Sequence, residues 1–186
     1  MKLFIVRHGE TDHNLQGRMQ GRIDIPLNAT GLAQAEALAE RLADEGRSFD
    51  AIFASPMLRA KRTAEIIAAK LNMPVEFDAD LVEVNMGIFE NLTREEAEAK
   101  YPEVWAQNPL RRSIYDYIPE GESPQQVEER AMRAILRIKE RFAEKTVLVV
   151  CHGFTARMIN RHMMNLTFDE MHEFILKNCE MVEYDF

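Results

Sequence analysis

Apolar positions fall into two alternating patterns along this chain. Short runs at 3–6, 49–54 and 146–150 read as strands, the last, a continuous apolar run, suiting a central strand covered on both faces, and Val75–Phe77 can add a third, edge-type strand before it. Stripes at helical spacing lie between them. Leu32, Ala35, Leu38, Ala39 and Leu42 form one, with Thr30 as the expected N-cap and Gly46 as the stop. Ala60, Ala64, Ile67 and Leu71 form a second, opened by Ser55 as N-cap and Pro56 as first helical residue; Arg59 falls off this stripe, in the first turn. Thr93-x-x-Glu96 and Ser123-Pro124-Gln125-Gln126 read as capping boxes. The second opens a long helix with Val127, Ala131, Ala134, Ile135, Ile138 and Phe142 on one face. Ala156, Ile159 and Met163 mark a last helix, and 180–186 alternates loosely, as an edge strand does. Strand and helix in alternation predict an α/β protein: one domain, a three-layer α/β/α sandwich around a mostly parallel sheet.

Composition narrows the function. At 186 residues and 46% hydrophobic, the chain is long and apolar enough for one substantial core. Its net charge of −8 disfavours nucleic acid and anionic membrane as partners, and leaves an anionic substrate only if arginines cluster locally. Cys151 and Cys179 are too few for a disulfide framework and suit reduced thiols in the cytoplasm. The apolar run that opens the chain is too short for a signal peptide or a membrane span. No zinc spacing, phosphate loop or internal repeat is present.

Two strands end alike, in Arg7-His8-Gly9 and in His152-Gly153. In an open α/β sheet, ligands bind beyond the carboxyl ends of the strands. Gly9 is expected to turn the backbone tightly and bring it close to a ligand. Two imidazoles would meet there with Arg7 and Arg59, and Glu83 could join from the loop after the third strand. Four chemistries fit such a set. Covalent phosphoryl transfer would use His8 as nucleophile, the arginines and His152 as phosphate ligands, and Glu83 as acid. A metal hydrolase would use His8, His13, His152 and acids, without an HxH or HExxH pattern. Acyl transfer by Cys151 is opposed by alternation on a strand, which puts Cys151 and His152 on opposite faces. A non-catalytic phosphate-binding module would have no use for Glu83.

The run Arg7-His8-Gly9-Glu10-Thr11 with Asn14 resembles the signature of the histidine phosphatase superfamily, the phosphoglycerate-mutase-like enzymes. Gln20-Gly21-x-x-Asp24-x-Pro26-Leu27, Ser55-Pro56-x-x-Arg59-Ala60-x-x-Thr63-Ala64, Glu83 before Met86-Gly87, Gly121-Glu122-Ser123 and His152-Gly153 follow in the family's order, over nearly the whole chain. The resemblance implies a phosphoglycerate mutase-like fold and a phosphohistidine formed on His8. It implies Glu83 as proton donor and then base, and Arg7, Arg59 and His152 as the phosphate pocket. Thr11, Asn14, Gln20, Gly21 and Gly153 are implied as substrate contacts, with Arg111 and Arg112 beside them. No metal is implied, because the arginines and a protonated His152 supply the positive charge; the two imidazoles are then expected to titrate differently.

Within that family, the stretch between Glu83 and His152 is shorter than the mutases usually carry, and Gly87-x-x-Glu90 with Gly121-Glu122-Ser123 is closer to the phosphatases. Arg94 and Arg111-Arg112-Ser113 point the other way, towards a cofactor-dependent phosphoglycerate mutase primed by 2,3-bisphosphoglycerate. Asn91 stands where the phosphatases often have glycine. A substrate-covering insertion is expected around 88–122, with Trp105, Arg111, Arg112, Tyr115 and Tyr117 facing the non-phosphate end. The expected partner is a small phosphomonoester: a sugar phosphate, a nucleoside phosphate such as α-ribazole phosphate, or a phosphoglycerate. The expected compartment is the cytoplasm, and a phospho-ligand-binding regulator is the non-enzymatic alternative. The sequence assigns no oligomeric state.

Overall fold

A computed structural model describes residues 1–107 and 118–186. Among them the order is β1 (Lys2–Arg7), α1 (Asp12–Leu15), α2 (Ala29–Asp44), β2 (Ala51–Ala54), α3 (Leu58–Leu71), β3 (Val75–Phe77), α4 (Arg94–Lys100), α5 (Pro102–Ala106), α6 (Pro124–Arg141), β4 (Thr146–Cys151), α7 (Gly153–Met163) and β5 (Met181–Asp185). The sheet runs β3-β2-β4-β1-β5. Its first four strands are parallel, and β5 closes the edge antiparallel to β1. The three layers expected from the alternation are present.

Strand alternation sends successive residues to opposite faces, and each face meets its own helices. Leu3, Ile5, Val147 and Val149 pack with Ala131, Ile135 and Ile138 of α6 and Ile159 of α7. Phe4, Val6, Leu148 and Val150 pack with Leu38 and Leu42 of α2 and Ala64 and Ile67 of α3. A third cluster, with Val84, Met86, Phe89, Trp105 and Phe154, builds a lobe beyond the carboxyl ends of the strands. No helix among the described residues is long and apolar enough to cross a membrane.

Helix starts depart from expectation in two places. Asn28 caps α2, its side chain accepting from Gly31 N at 2.8 Å, so Thr30 already lies inside the helix. α3 begins only at Leu58, behind Met57. Ser55 and Pro56 belong to the preceding loop because Ser55 is tied to the sheet, its N–H donating to Val150 O. Both capping boxes form as the sequence predicts. Asn91 adopts φ +65°, the left-handed conformation that glycine takes most easily.

Gly9 and Gly31 bring two stretches of backbone together. A Cβ there would lie 2.4 Å from Gly31 O, and a Cβ on Gly31 would lie 2.0 Å from Glu10 O. The two glycines let the first turn of α2 press against the backbone after β1. Gly31→Ala is therefore expected to destabilise the fold by about 1–3 kcal/mol, read as a lowered urea midpoint, because backbone must move to admit the methyl. An unchanged midpoint would show that this contact relaxes freely.

Candidate active site

Three adjacent strands end side by side, and each delivers one polar residue. Register pairs Ala54 with Val150 and Arg7 with Cys151, so Ser55, His152 and His8 follow β2, β4 and β1 at one edge. The ladder continues one step past the strands: His8 N donates to Cys151 O at 3.0 Å and Ser55 N to Val150 O at 3.0 Å. The imidazoles meet edge to face, 5.2 Å between centroids. His8 Nδ1 lies 2.7 Å from Gly9 O. A carbonyl only accepts, so Nδ1 carries the proton and Nε2 keeps the lone pair.

A cavity of about 220 Å³ opens over this edge. Arg7, Arg18, Arg59, Arg94 and Arg157 line it, with Glu83 as the one carboxylate among its described lining residues. The acidic chain thus carries a locally cationic pocket. Arg59, off the apolar stripe and expected in the first turn, is fully buried. Its Nη1 donates to Ile23 O at 2.8 Å and its Nη2 to Gly21 O at 2.9 Å, so the 20–24 loop covers it. Arg7 donates through Nη1 to Leu176 O and lies against Gly153, whose missing Cβ would stand 3.4 Å from Arg7 Nε. Glu83 accepts from the first turn of α7: Phe154 N and Thr155 N each at 3.2 Å, with Val84 N at 3.0 Å. These N–H groups are unsatisfied within the helix and carry its positive dipole end.

Several expected contacts sit one layer deeper. Asn14, Gln20, Gly21 and Gly153 line the cavity; Thr11 and His152 do not. Thr11 is fully buried, and its hydroxyl reaches Gln20 Oε1 at 2.8 Å and Asn14 Oδ1 at 3.2 Å. Held by their oxygens, both amides keep their NH₂ ends for a ligand. His152 is fully buried beside His8, whose ring lines the cavity, with Nε2 2.8 Å from Ser55 Oγ. Arg111 and Arg112 lie outside the described residues. His13 stands at the rim, with Nε2 2.9 Å from Asn91 Oδ1. Cys151 points into the core on the α6 side, and burial pushes its thiol well up, which makes it a poor nucleophile.

Other residues at the site are given no role there by the sequence, though Ser55, Thr63 and Glu122 lie inside the motifs quoted above. Ser55 reads from sequence as a cap. Thr63 accepts from Gly9 N at 3.1 Å, and Asn178 donates to His8 O at 2.9 Å. Arg130, on the polar side of its helix by sequence, is buried; it donates to Val82 O at 2.6 Å and pairs with Glu122 at 2.9 Å. Glu122 also pairs with Arg22 at 3.0 Å, whose Nε donates to Glu83 O at 2.6 Å. Gly121-Glu122-Ser123 is thus part of the frame that holds Glu83.

Both imidazoles are driven towards the neutral form. Burial is the first cause for His8, followed by the charges of Arg59 and Arg7, with Gly9 O opposing. For His152 burial again leads, then Arg59 and His8. The expected contrast, a neutral His8 beside a protonated His152, is not what this environment favours: the same arginines bear on both rings.

An imidazole fixed by its own chain shares an arginine-lined cavity with a carboxylate. The family model for the histidine phosphatase superfamily (branch 1) matches residues 3–186. The chain belongs to the histidine phosphatase superfamily. It is 40% identical over 149 residues to "Uncharacterized phosphatase PhoE" of Bacillus subtilis, covering 80% of this chain and 70% of that one. It is 32% identical over 191 residues to "Probable phosphoglycerate mutase GpmB" of Shigella boydii, covering 100% of this chain and 85% of that one. A mycobacterial glucosyl-3-phosphoglycerate phosphatase in complex with VO3 superposes with a TM-score of 0.87 at 26% identity, over 98% of this chain and 90% of that one. These likenesses support phosphatase chemistry on small phosphorylated metabolites as the broad function of this superfamily member.

Proposed function

We propose that this protein is a metal-independent phosphomonoesterase that works through a phosphohistidine on His8. The observation that carries the reading is the His8 tautomer: Nδ1 donates to Gly9 O, so Nε2 presents a lone pair among arginines. Nε2 attacks phosphorus, the bond from phosphorus to the ester oxygen breaks, and Glu83 gives its proton to the leaving alkoxide. Glu83 then takes a proton from water as the water oxygen attacks phosphorus. His8 leaves with its electron pair, and inorganic phosphate forms. Arg7 and Arg59 supply fixed positive charge to the phosphoryl oxygens, the part a metal ion plays in other phosphoryl-transfer enzymes. Asn14 and Gln20 donate from amides that Thr11 orients.

The test is release of inorganic phosphate from a panel of sugar, nucleoside and glycerate phosphates with EDTA present. Turnover that persists in EDTA is expected, and loss of turnover on chelation would overturn metal independence. Arg94 on the cavity wall favours one second reading, a phosphoglycerate mutase. Interconversion of 3- and 2-phosphoglycerate with a bisphosphoglycerate primer, without net phosphate release, would select it. Phospho-ligand binding with neither activity would select the regulator.

The pH profile is a further expectation. Because burial and two arginines lower the proton affinity of His8, Nε2 stays unprotonated as pH falls through about 6.5, the ordinary histidine value. The acid limb of kcat/KM that reports the free nucleophile should lie below that pH. A limb centred at 6.5 would mean that the ring titrates as if exposed.

A further inference from the structure

Ser55 and His152 are both fully buried, and each has few possible partners. Ser55 Oγ accepts from Met57 N at 3.3 Å and lies 2.8 Å from His152 Nε2. His152 Nε2 is the acceptor within reach of the Ser55 hydroxyl proton among the described residues. His152 Nδ1 is buried and has no hydrogen-bond partner among the described residues.

Two neutral tautomers are possible, and they do not leave the same residue of unpaired groups. With the proton on Nε2, the imidazole donates to Ser55 Oγ. The hydroxyl proton then has no acceptor and the Nδ1 lone pair has no donor, so two buried polar groups go unpaired. With the proton on Nδ1, Ser55 donates to Nε2 and a single group is unpaired, the Nδ1–H. An unpaired buried donor is costly, and an anion arriving beside it removes that cost. We infer that Ser55 is a positioning residue: its hydroxyl donates to Nε2 of His152 and fixes the ring as the Nδ1–H tautomer, a neutral donor for the phosphoryl group. The environment that disfavours an imidazolium at His152 then leaves its donor role intact. Ser55 itself need touch neither substrate nor reacting atoms.

The consequence for turnover rests on the phosphohydrolase reading, but the tautomer can be read on the resting protein. Long-range proton–nitrogen correlation on histidine-labelled protein separates Nδ1–H from Nε2–H, with His152→Ala assigning the ring. The wild type is expected to show Nδ1–H. Ser55→Ala, close to isosteric and checked by its thermal midpoint, should shift His152 towards Nε2–H and weaken orthovanadate binding about tenfold or more, the cost of one charge-assisted donor. Nε2–H in the wild type would overturn the inference. So would a Ser55→Ala protein whose tautomer and orthovanadate affinity are both unchanged. A wild type that shows Nδ1–H yet hydrolyses no phosphomonoester would fail the hydrolase reading and leave the tautomer established.

Discussion

His8→Ala releases no phosphate above background: kcat/KM is expected to fall by about 10⁴-fold or more, the scale on which covalent catalysis is lost with its nucleophile. No neighbouring group can take over. His152 is buried with Nε2 against Ser55, and Cys151 faces the core with a raised thiol pKa. The fold should survive, because His8 N still donates to Cys151 O and the strand before it is unchanged. The variant should also keep measurable orthovanadate binding, since Arg7, Arg59 and the amides of Asn14 and Gln20 remain. Quenching wild-type enzyme and a ³²P-labelled monoester in alkaline detergent, where the P–N bond survives, should trap label on protein, and the variant should trap none. Turnover retained within tenfold in His8→Ala would end the phosphohistidine mechanism.

The second large effect belongs to Arg59. Its guanidinium is fully buried, and no carboxylate among the described residues lies within ion-pairing distance. Burial lowers its proton affinity, while Glu83 and Asp24 oppose this from further away. A buried cation without a contacting counter-charge is costly to maintain, and a phosphoryl group is the partner that would repay it. Arg59→Lys keeps a charge but loses the planar fork that binds Ile23 O and Gly21 O, and an ammonium cannot hold both carbonyls and a phosphate in that geometry. Activity should fall about 10²- to 10³-fold, as when one preorganised donor to a transition state is removed. Thermal melts carry the sharper contrast. Orthovanadate should raise the midpoint of the wild type and barely move that of Arg59→Met. An equal rise in both would place the anion elsewhere.

How much of this was legible follows the range of each signal. Strands at 3–6 and 146–150 were readable because burial on both faces leaves an unbroken apolar run, and both capping boxes because a cap is a contact over three residues. Arg59 was named for the site by its motif, but its burial was not legible, because Ile23, whose carbonyl holds it, lies 36 positions away in sequence. Ser55 was read as a cap because Ser-Pro does begin many helices, and only the register of β2 on β4 shows that it belongs to His152. The packing of Gly9 on Gly31 was not legible, because Gly31 carries no local mark that ties it to position 9. The shared ends of two strands gave the site, whereas charge states came from three-dimensional proximity to the same arginines.

The placement of β1 between β4 and β5 has a consequence for assembly. His8, the proposed nucleophile, is synthesised well over a hundred residues before the segments 146–151 and 181–185 that complete its strand. Leu176 O, Asn178 and Cys179 N add the last clasps on Arg7 and His8. At about 5–20 residues per second, a nascent chain carries an unfinished nucleophile for many seconds before its neighbours leave the ribosome. Pairing across such sequence distance also slows folding. Reactivity at His8 should therefore switch on late and all at once, so that a ribosome-tethered chain stopped before β5 would carry the whole of the N-terminal signature and none of the chemistry.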